Sequence, residues 1–326
     1  MATPTCCVLA CLALSAPAPT KEELAAAIRE ARAALGPWHA TVIATQLTSN
    51  AEYPATETFA FQVGFGKLRY DESWLRMGED AGQIVRSRFM YDGARTARAS
   101  RVGNSGSIRD GVDPEYTLAQ CMYLRAMFYL PIEVPDPDVV NDLSWRLEAT
   151  LSTVRPALEA VEGHECVVVD LWSGDGSMIA STVWLDPARG YLPRLRRMPG
   201  VDPAQPSLEV LVKDFLELGP GRYLPKEVFY STHDPSGEHV VSMQMVPGLC
   251  GDGVSPEFAS ASSSSIFWPG MTVQDLDTGE VFVASAARPW TPGMALAGAS
   301  LVAGLGCFAA TLLPAGSLAR RRRRYA

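Results

Sequence analysis

The stretch from residue 165 to residue 246 constrains the fold more than any other part of this chain. It consists of short segments rich in β-branched and aromatic residues, such as residues 166–172, which suit a pleated strand. Turns such as Ser173-Gly174-Asp175-Gly176 separate the segments, because Gly and Pro adopt the backbone angles that turns require. Strands repeated at roughly ten-residue spacing, without helices between them, predict an antiparallel meander.

A helix is predicted ahead of the strands. Thr20 and Glu23 are spaced as a capping box, in which each side chain accepts a hydrogen bond from the backbone of the other residue. Apolar residues then recur at helical spacing as far as Leu35, and Gly36-Pro37 ends the pattern. We therefore predict an amphipathic helix whose apolar stripe packs on the sheet.

The strand that includes residues 59–65 has the most regular apolar pattern in the N-terminal half. Phe59, Phe61, Val63 and Phe65 alternate with smaller or polar residues. Side chains two residues apart lie on the same face of a strand. The pattern therefore predicts one strand face made of four large apolar side chains.

The next segments predict a hairpin, a loop and a second helix. Asp92-Gly93 between two apolar runs predicts the hairpin, and the Gly- and Ser-rich residues 101–112 predict the loop. Asp113-Pro114 predicts the start of a helix that extends to about residue 129. Met122 and Met127 belong to its apolar surface, so it is either a core helix or a lid over an apolar cavity, with Met as the adaptable filler.

Residues 143–161 fit either a helix or two strands. The sequence Ser152-Thr153-Val154-Arg155-Pro156 contains poor helix formers and a proline. We therefore predict two strands for this stretch.

Both ends of the chain are apolar and predict export and membrane attachment. Residues 1–19 carry no charge and offer Ala16-Pro17-Ala18 as a cleavage site, which indicates a signal peptide; lipidation at Cys11 is the alternative. Residues 294–313 also carry no charge and have the length of a membrane-spanning helix. The five arginines at residues 320–324 then predict a cytoplasmic C-terminus and a body outside the cytoplasm.

The body between these ends is acidic. Without the five terminal arginines, 23 basic residues stand against 36 acidic ones, a formal charge of −13. Nucleic-acid binding depends mainly on contacts with phosphate, so this balance argues against a nucleic-acid partner.

The sequence contains no G-x-S-x-G, H-E-x-x-H, P-loop or kinase motif. His233 and His239 flank a predicted turn, but two histidines without placed carboxylates make a poor metal site. Cys121, Cys166 and Cys250 allow at most one internal disulfide. We therefore predict no enzymatic activity, no metal and no cofactor.

Motifs of the meander resemble those of the LolA/RseB-like lipoprotein-carrier superfamily. The resemblance lies in residues 163–169, Val183-Trp184-Leu185-Asp186 with Gly190-Tyr191-Leu192-Pro193, Lys213-Asp214-Phe215, and Gly221-Arg222-Tyr223-Leu224-Pro225. It implies a mainly β (α+β) fold, in which a curved antiparallel half-barrel sheet carries helices on its concave side and encloses an apolar cavity. Characterised members are similar in binding the acyl chains of lipoproteins or in sensing envelope stress, and none is an enzyme.

The predicted organisation is a signal peptide (1–19), a half-barrel domain (20–287), a linker (288–293), a transmembrane helix (294–313) and a basic cytoplasmic tail (314–326). We expect a periplasmic body that binds a lipid or a lipoprotein acyl chain. The predicted binding residues are Phe59, Phe61, Val63 and Phe65 on the sheet and Met122 and Met127 on the lid. The alternative is an envelope signalling protein whose sheet edge or acidic face binds a protein partner.

Overall fold

The computed structural model describes residues 18–47, 56–75, 84–111, 123, 143–149, 151–200, 206–233 and 239–285. The predicted signal peptide up to residue 17, the linker, the membrane helix and the basic tail lie outside these residues. Within the described residues, no helix combines the length and apolar character needed to cross a membrane.

The described part is mainly β, with sixteen strands arranged as a large open sheet and few helices. The strands are β1 (Trp38–Gln46), β2 (Thr56–Gly64), β3 (Lys67–Leu75), β4 (Ile84–Tyr91), β5 (Arg95–Ser100), β6 (Ser105–Asp110), β7 (Ser152–Val154), β8 (Glu159–Val161), β9 (His164–Trp172), β10 (Ile179–Asp186), β11 (Leu192–Met198), β12 (Leu208–Gly219), β13 (Arg222–His233), β14 (His239–Asp252), β15 (Thr272–Asp275) and β16 (Val281–Val283). The helices are α1 (Lys21–Leu35), α2 (Leu143–Ala149) and α3 (Pro256–Ser260), and two 3-10 turns span Pro187–Arg189 and Ser263–Ile266.

Strand β1 lies inside the sheet and joins two antiparallel meanders. It pairs with β2 on one side and with β14 on the other, which places residue Val42 beside Phe59 and Ile43 beside Val246. Strands β2 to β6 continue outward on the first side, and β14 back to β9 continue on the second. Beyond β6, strand β15 pairs in parallel and β16 forms the outer edge. The meander predicted for residues 165–246 is confirmed.

Helix α1 begins at the predicted capping box. The backbone N–H of Thr20 donates to Oε2 of Glu23 at 2.8 Å, and the N–H of Glu23 donates to Oγ1 of Thr20 at 3.2 Å. Leu24 and Ile28 are buried together with Val183 of β10, so the apolar stripe packs on the sheet as predicted. We call the sheet face that carries α1 the inner face and the opposite one the outer face.

Residues 143–149 form α2, so the prediction of two strands across residues 143–161 is wrong for its first part. Leu143 and Leu147, four residues apart, share one helix face and join the α1 side chains in the core. The Arg29 guanidinium of α1 also lies 2.7 Å from the carboxylate of Glu148. The poor helix formers start only at Ser152, where the predicted strands β7 and β8 do follow.

Residues 105–110 form β6, although the predicted loop covered this stretch. Gly106 explains the difference, because its missing side chain leaves room for the ring of Phe267. A Cβ atom at Gly106 would lie 2.6 Å from Cε1 of Phe267. A glycine in a strand can mark the close approach of another group rather than a loop.

The Trp-x-Asp motif of β10 ends in a buried ion pair that the sequence did not reveal. Nη2 of Arg194 lies 2.6 Å from Oδ2 of Asp186, and both side chains are only 2% exposed. Oδ1 of Asp186 accepts from the N–H of Ala188 at 2.9 Å, and Nη1 of Arg194 donates to the carbonyl of Lys213 at 3.0 Å. The guanidinium also lies over the ring of Phe215. The Asp186–Arg194 pair therefore joins β10, β11 and β12.

Candidate ligand-binding site

Five aromatic side chains form a continuous row on the inner face across β1 to β4. They are Trp38, Phe59, Phe61, Tyr70 and Phe89, and each is at most 4% exposed. Neighbouring ring centroids along the row lie 5.0 to 6.3 Å apart, a spacing at which aromatic pairs stabilise each other beyond simple burial. The strand register creates this aromatic row, because Tyr70 pairs with both Phe61 and Phe89.

Three of the four residues predicted for the apolar strand face belong to the inner-face core. Phe59, Phe61 and Val63 are buried there. The prediction is wrong for Phe65, which is 67% exposed. Phe65 and Gly66 have φ angles of 55° and 68° and form the two-residue turn between β2 and β3, whose central residues take positive φ in a type I′ turn. The turn interrupts the alternation that the sequence pattern extended to Phe65.

Of the helix that the sequence predicts as a lid, the structure describes only Tyr123. Met122 and Met127, the two lid residues proposed from the sequence, lie outside the described residues. Tyr123 is fully buried, its ring centroid lies 5.7 Å from that of Phe61, and its hydroxyl donates to the carbonyl of Pro225 at 2.5 Å. Tyr123 therefore packs on the aromatic row and is hydrogen-bonded to β13.

Two carboxyl groups adjoin the aromatic row. Glu57 and Glu72 lie on the inner face in phase with Phe59 and Tyr70, and Phe59 pairs directly with Glu72. Glu57 is 8% exposed. Burial, followed by a hydrogen bond with Glu72 and the charge of that residue, raises the pKa of Glu57 to about 9. Glu57 is therefore protonated at neutral pH and can act as a hydrogen-bond donor.

A buried donor lies at the other end of the row. Trp38 has no exposed surface, and its indole N–H has no hydrogen-bond partner among the described residues. Buried donors in native structures are almost always paired, so an unpaired one calls for a reason. A ligand oxygen next to the aromatic row would supply the missing acceptor.

The sequence pattern could have placed Glu57 on the apolar face, but not its contact with Glu72. Glu57 occupies the same alternating series as Phe59 and Phe61, so its position on the apolar face follows from the two-residue period of a strand. Its raised pKa depends first on burial and then on Glu72, which is fifteen residues away and adjacent only through the β2–β3 pairing. The sequence alone does not reveal that contact.

The remaining sequence candidates are the histidines and cysteines. His233 pairs across the strands with His239, and its Nδ1 lies 3.0 Å from the carbonyl oxygen of Pro206. Among the described residues, no group of His, Cys, Asp and Glu side chains is arranged to hold a metal ion. Cys166 and Cys250 are free thiols, and Cys121 lies outside the described residues.

Comparison with known proteins returned distant structural neighbours. No protein-family model matches the chain, and no curated protein does. An outer membrane lipoprotein-sorting protein domain from Vibrio parahaemolyticus shares 12% identity, with a TM-score of 0.45, over 73% of this chain and 95% of that one. A DUF1329 family protein from Desulfovibrio piger shares 10% identity, with a TM-score of 0.39, over 76% and 98%.

A third neighbour is a chain of the MucA/MucB complex from Pseudomonas aeruginosa, with 12% identity and a TM-score of 0.22 over 80% of this chain and 73% of that one. A lipoprotein-sorting domain, the kind of protein that the meander motifs resemble, is thus among these neighbours. Likenesses of this size say nothing about a ligand or a partner.

Proposed function

We propose that this chain is a non-catalytic, extracytoplasmic protein that binds the acyl chain of a lipid or lipoprotein on the inner face of its sheet. The aromatic row offers the apolar contact surface that such a chain requires. The observation that carries the proposal is the unpaired indole N–H of Trp38 at one end of that row. An ester or amide carbonyl of the ligand accepts this hydrogen bond, while its hydrocarbon lies along the rings.

The segment that contains Tyr123 acts as the lid in this proposal. Tyr123 contacts Phe61 and is hydrogen-bonded to Pro225, so its displacement opens the row. We also propose that Met122 and Met127 contact the ligand, since flexible methionine side chains adapt to chains of different shape. The sheet curves around the ligand as a half-barrel.

We further propose that the protein is exported and attached to a membrane. Residues 1–19 direct export, residues 294–313 cross the membrane, and residues 314–326 remain in the cytoplasm. The binding domain is thereby held at the outer surface of that membrane, so the protein acts as a fixed receptor or sensor. A freely diffusing carrier would lack this attachment.

Mass spectrometry of co-purified lipid tests the proposal. Residues 20–290 are purified without detergent and extracted with organic solvent, and we expect an acyl-chain species in stoichiometric amount. Trp38→Phe keeps the aromatic ring but removes the N–H, so its lipid content should fall. Trp172→Phe is the matched control, because the Trp172 indole donates to Thr153 on an exposed part of the sheet. Folded, lipid-free protein that acquires no lipid from vesicles contradicts the proposal.

A protein partner at the sheet edge is the second candidate. Strand β16 is the outer strand, and its side chains Val281, Phe282 and Val283 are 64%, 42% and 66% exposed. An apolar edge strand offers unpaired backbone groups to a strand from another protein. If a protein partner binds at this edge, Val283→Lys should weaken partner binding and leave the lipid content unchanged. If the protein binds only lipid, the substitution should change neither partner binding nor lipid content.

A further inference from the structure

The outer face carries a cluster of four arginines at β3, β4 and the end of β5, which we call the arginine cluster. It consists of Arg69, Arg86, Arg88 and Arg101. Arg86 and Arg88 lie two residues apart on β4 and project from the same face. The N–H of Arg101 donates to the carbonyl of Arg86 at 2.9 Å, which places these two residues side by side across the strands.

A tryptophan packs against the cluster. The guanidinium carbon of Arg88 lies 4.3 Å from the ring centroid of Trp268, and that of Arg101 lies 5.4 Å from it. Nη1 of Arg88 also donates to the carbonyl of Ile266 at 3.3 Å. The half-buried ring of Trp268 thus holds two guanidinium groups in fixed positions.

Among the residues that the structure describes, the positive charge of the cluster exceeds the negative charge around it. Asp71 binds Arg69 through two hydrogen bonds of 2.7 and 3.1 Å and lies 3.8 Å from Arg88. Arg86 and Arg101 form no ion pair with a described residue. Burial lowers the pKa of Arg88 to about 10 against the opposing effect of Asp71, and the charges of Arg69, Arg86 and Arg101 lower it further.

This arrangement costs stability unless an anion joins it. Like charges directly opposite each other on neighbouring strands are destabilising, and Arg86 and Arg101 are such neighbours. The cluster also stands out in a body whose formal charge is −13 without the terminal arginines. An exposed pair of guanidinium groups beside an ordered third one matches the oxygens of a tetrahedral anion.

We propose that the arginine cluster binds a phosphoryl group that belongs to a phospholipid headgroup or to a free phosphate compound. Arg86 and Arg101 contact its oxygens, Arg88 contributes charge from its fixed position on Trp268, and Arg69 remains paired with Asp71. The acidic surroundings disfavour a long polyanion, so the site accepts one compact anionic group. This site lies on the outer face and is independent of the acyl-chain site on the inner face.

Titration with two kinds of probe tests the site. The full chain in a non-ionic detergent is titrated calorimetrically with inorganic phosphate and with glycerol 3-phosphate. The full chain inserted in phosphatidylcholine vesicles, with and without phosphatidic acid, is monitored through Trp268 fluorescence, with Trp268→Phe as the blank. Saturable binding of the soluble phosphates identifies a free phosphate ligand. A response only to phosphatidic acid identifies a headgroup, and both outcomes support the proposal.

Matched charge variants decide whether the cluster is responsible. Arg86→Gln and Arg101→Gln should each weaken binding about tenfold, because each removes charge-assisted hydrogen bonds to the anion. Arg29→Gln, which removes an exposed arginine on α1, should leave binding unchanged. Arg86 and Arg101 are both exposed. The thermal midpoint of the free protein should stay equal or rise in Arg86→Gln, because the substitution relieves repulsion, whereas Arg101→Gln also loses the contact with Trp268. Absence of binding to every phosphate probe, an equal loss in Arg29→Gln, or tighter binding of a glutamate-rich peptide overturns the proposal.

Discussion

Two buried tryptophans, one in each half of the sheet, differ in whether their indole N–H is hydrogen-bonded. The indole N–H of Trp184 on β10 donates to Glu159 at 2.9 Å, whereas the N–H of Trp38 on β1 has no partner among the described residues. Carboxyl groups follow the same division. Asp186 is paired with Arg194, while Glu57 adjoins another carboxyl group, that of Glu72.

For this comparison we call the β9–β10 half of the sheet the scaffold half and the β1–β4 half, where we propose the ligand site, the site half. Helices α1 and α2 cover the inner face of β9 and β10. On the outer face, Arg155 forms a bidentate ion pair with Asp170. Satisfied polar groups of this kind make a polar network rigid. Across β1 to β4, the unpaired indole N–H of Trp38 adjoins the aromatic row and reduces stability. The carboxyl pair Glu57–Glu72 adjoins the same row. We infer that the β9–β10 half serves mainly folding and that the β1–β4 half is shaped for a ligand.

The largest effect is expected from Arg194→Met in the scaffold half. The substitution leaves the Asp186 carboxylate buried without its partner, which should reduce the free energy of unfolding by about 3–5 kcal/mol. Urea unfolding followed by circular dichroism measures the change. Arg197→Met is the control, because its ion pair with Glu209 is largely exposed and should matter by less than about 1 kcal/mol. Equal losses in the two variants would contradict the assignment of Asp186 and Arg194 to the scaffold.

The second effect concerns Glu57 in the site half. Its pKa is raised from an ordinary value of 4.5 to about 9 in the folded protein, so the folded state binds more protons than the unfolded state between these values. The stabilising contribution is complete below pH 4.5 and is lost as pH rises towards 9. Glu57→Gln stays neutral and should be more stable than the parent at pH 9, by on the order of a few kcal/mol.

Unfolding midpoints in urea, measured between pH 5 and pH 9, check this dependence, with the parent losing stability and Glu57→Gln giving a flatter profile. Glu165→Gln provides the control, since the side chain of Glu165 is exposed and its variant should follow the parent. Parallel profiles for the parent and Glu57→Gln would show that Glu57 is ionised in the folded protein.

Tyr123→Phe should have an intermediate effect on stability. The substitution leaves the carbonyl of Pro225 without its hydrogen bond, which should cost about 1–3 kcal/mol. It should also speed the exchange of a fluorescent fatty acid, because the hydroxyl fastens the proposed lid to β13. Tyr223→Phe, on a half-buried ring of the same strand region, should leave exchange unchanged. Unaltered exchange in Tyr123→Phe removes the support for a lid.

The smallest effect is expected at the start of α1. Thr20→Ala removes one half of the capping box and should reduce the free energy of unfolding by about 1 kcal/mol. Thr20→Ser retains the hydroxyl oxygen and should remain close to the parent. Calorimetric unfolding measures both variants, and ligand binding should be insensitive to either. A loss of binding in Thr20→Ala would link α1 to the site and weaken the division into two halves.

Local sequence signals predicted the elements whose residues are close together in the chain. The capping box at Thr20, the hairpin at Asp92-Gly93 and the strands of the meander all depend on neighbouring residues, and all are confirmed. The predictions failed where a distant contact decided the outcome. Gly106 belongs to a strand because Phe267 packs on it. Leu143 and Leu147 belong to a helix because α1 provides their partner surface.

The sequence by itself therefore determined that the chain forms an antiparallel sheet with an apolar strand face, because alternation and turn chemistry act over a few residues. The tertiary structure alone decided which meander edges meet at β1 and which charges become neighbours. Register brings Glu57 to Glu72 and Arg86 to Arg101, and burial then raises the pKa of Glu57. Both proposed sites arise from such long-range pairings, since the free energy of a charge depends on the groups packed around it.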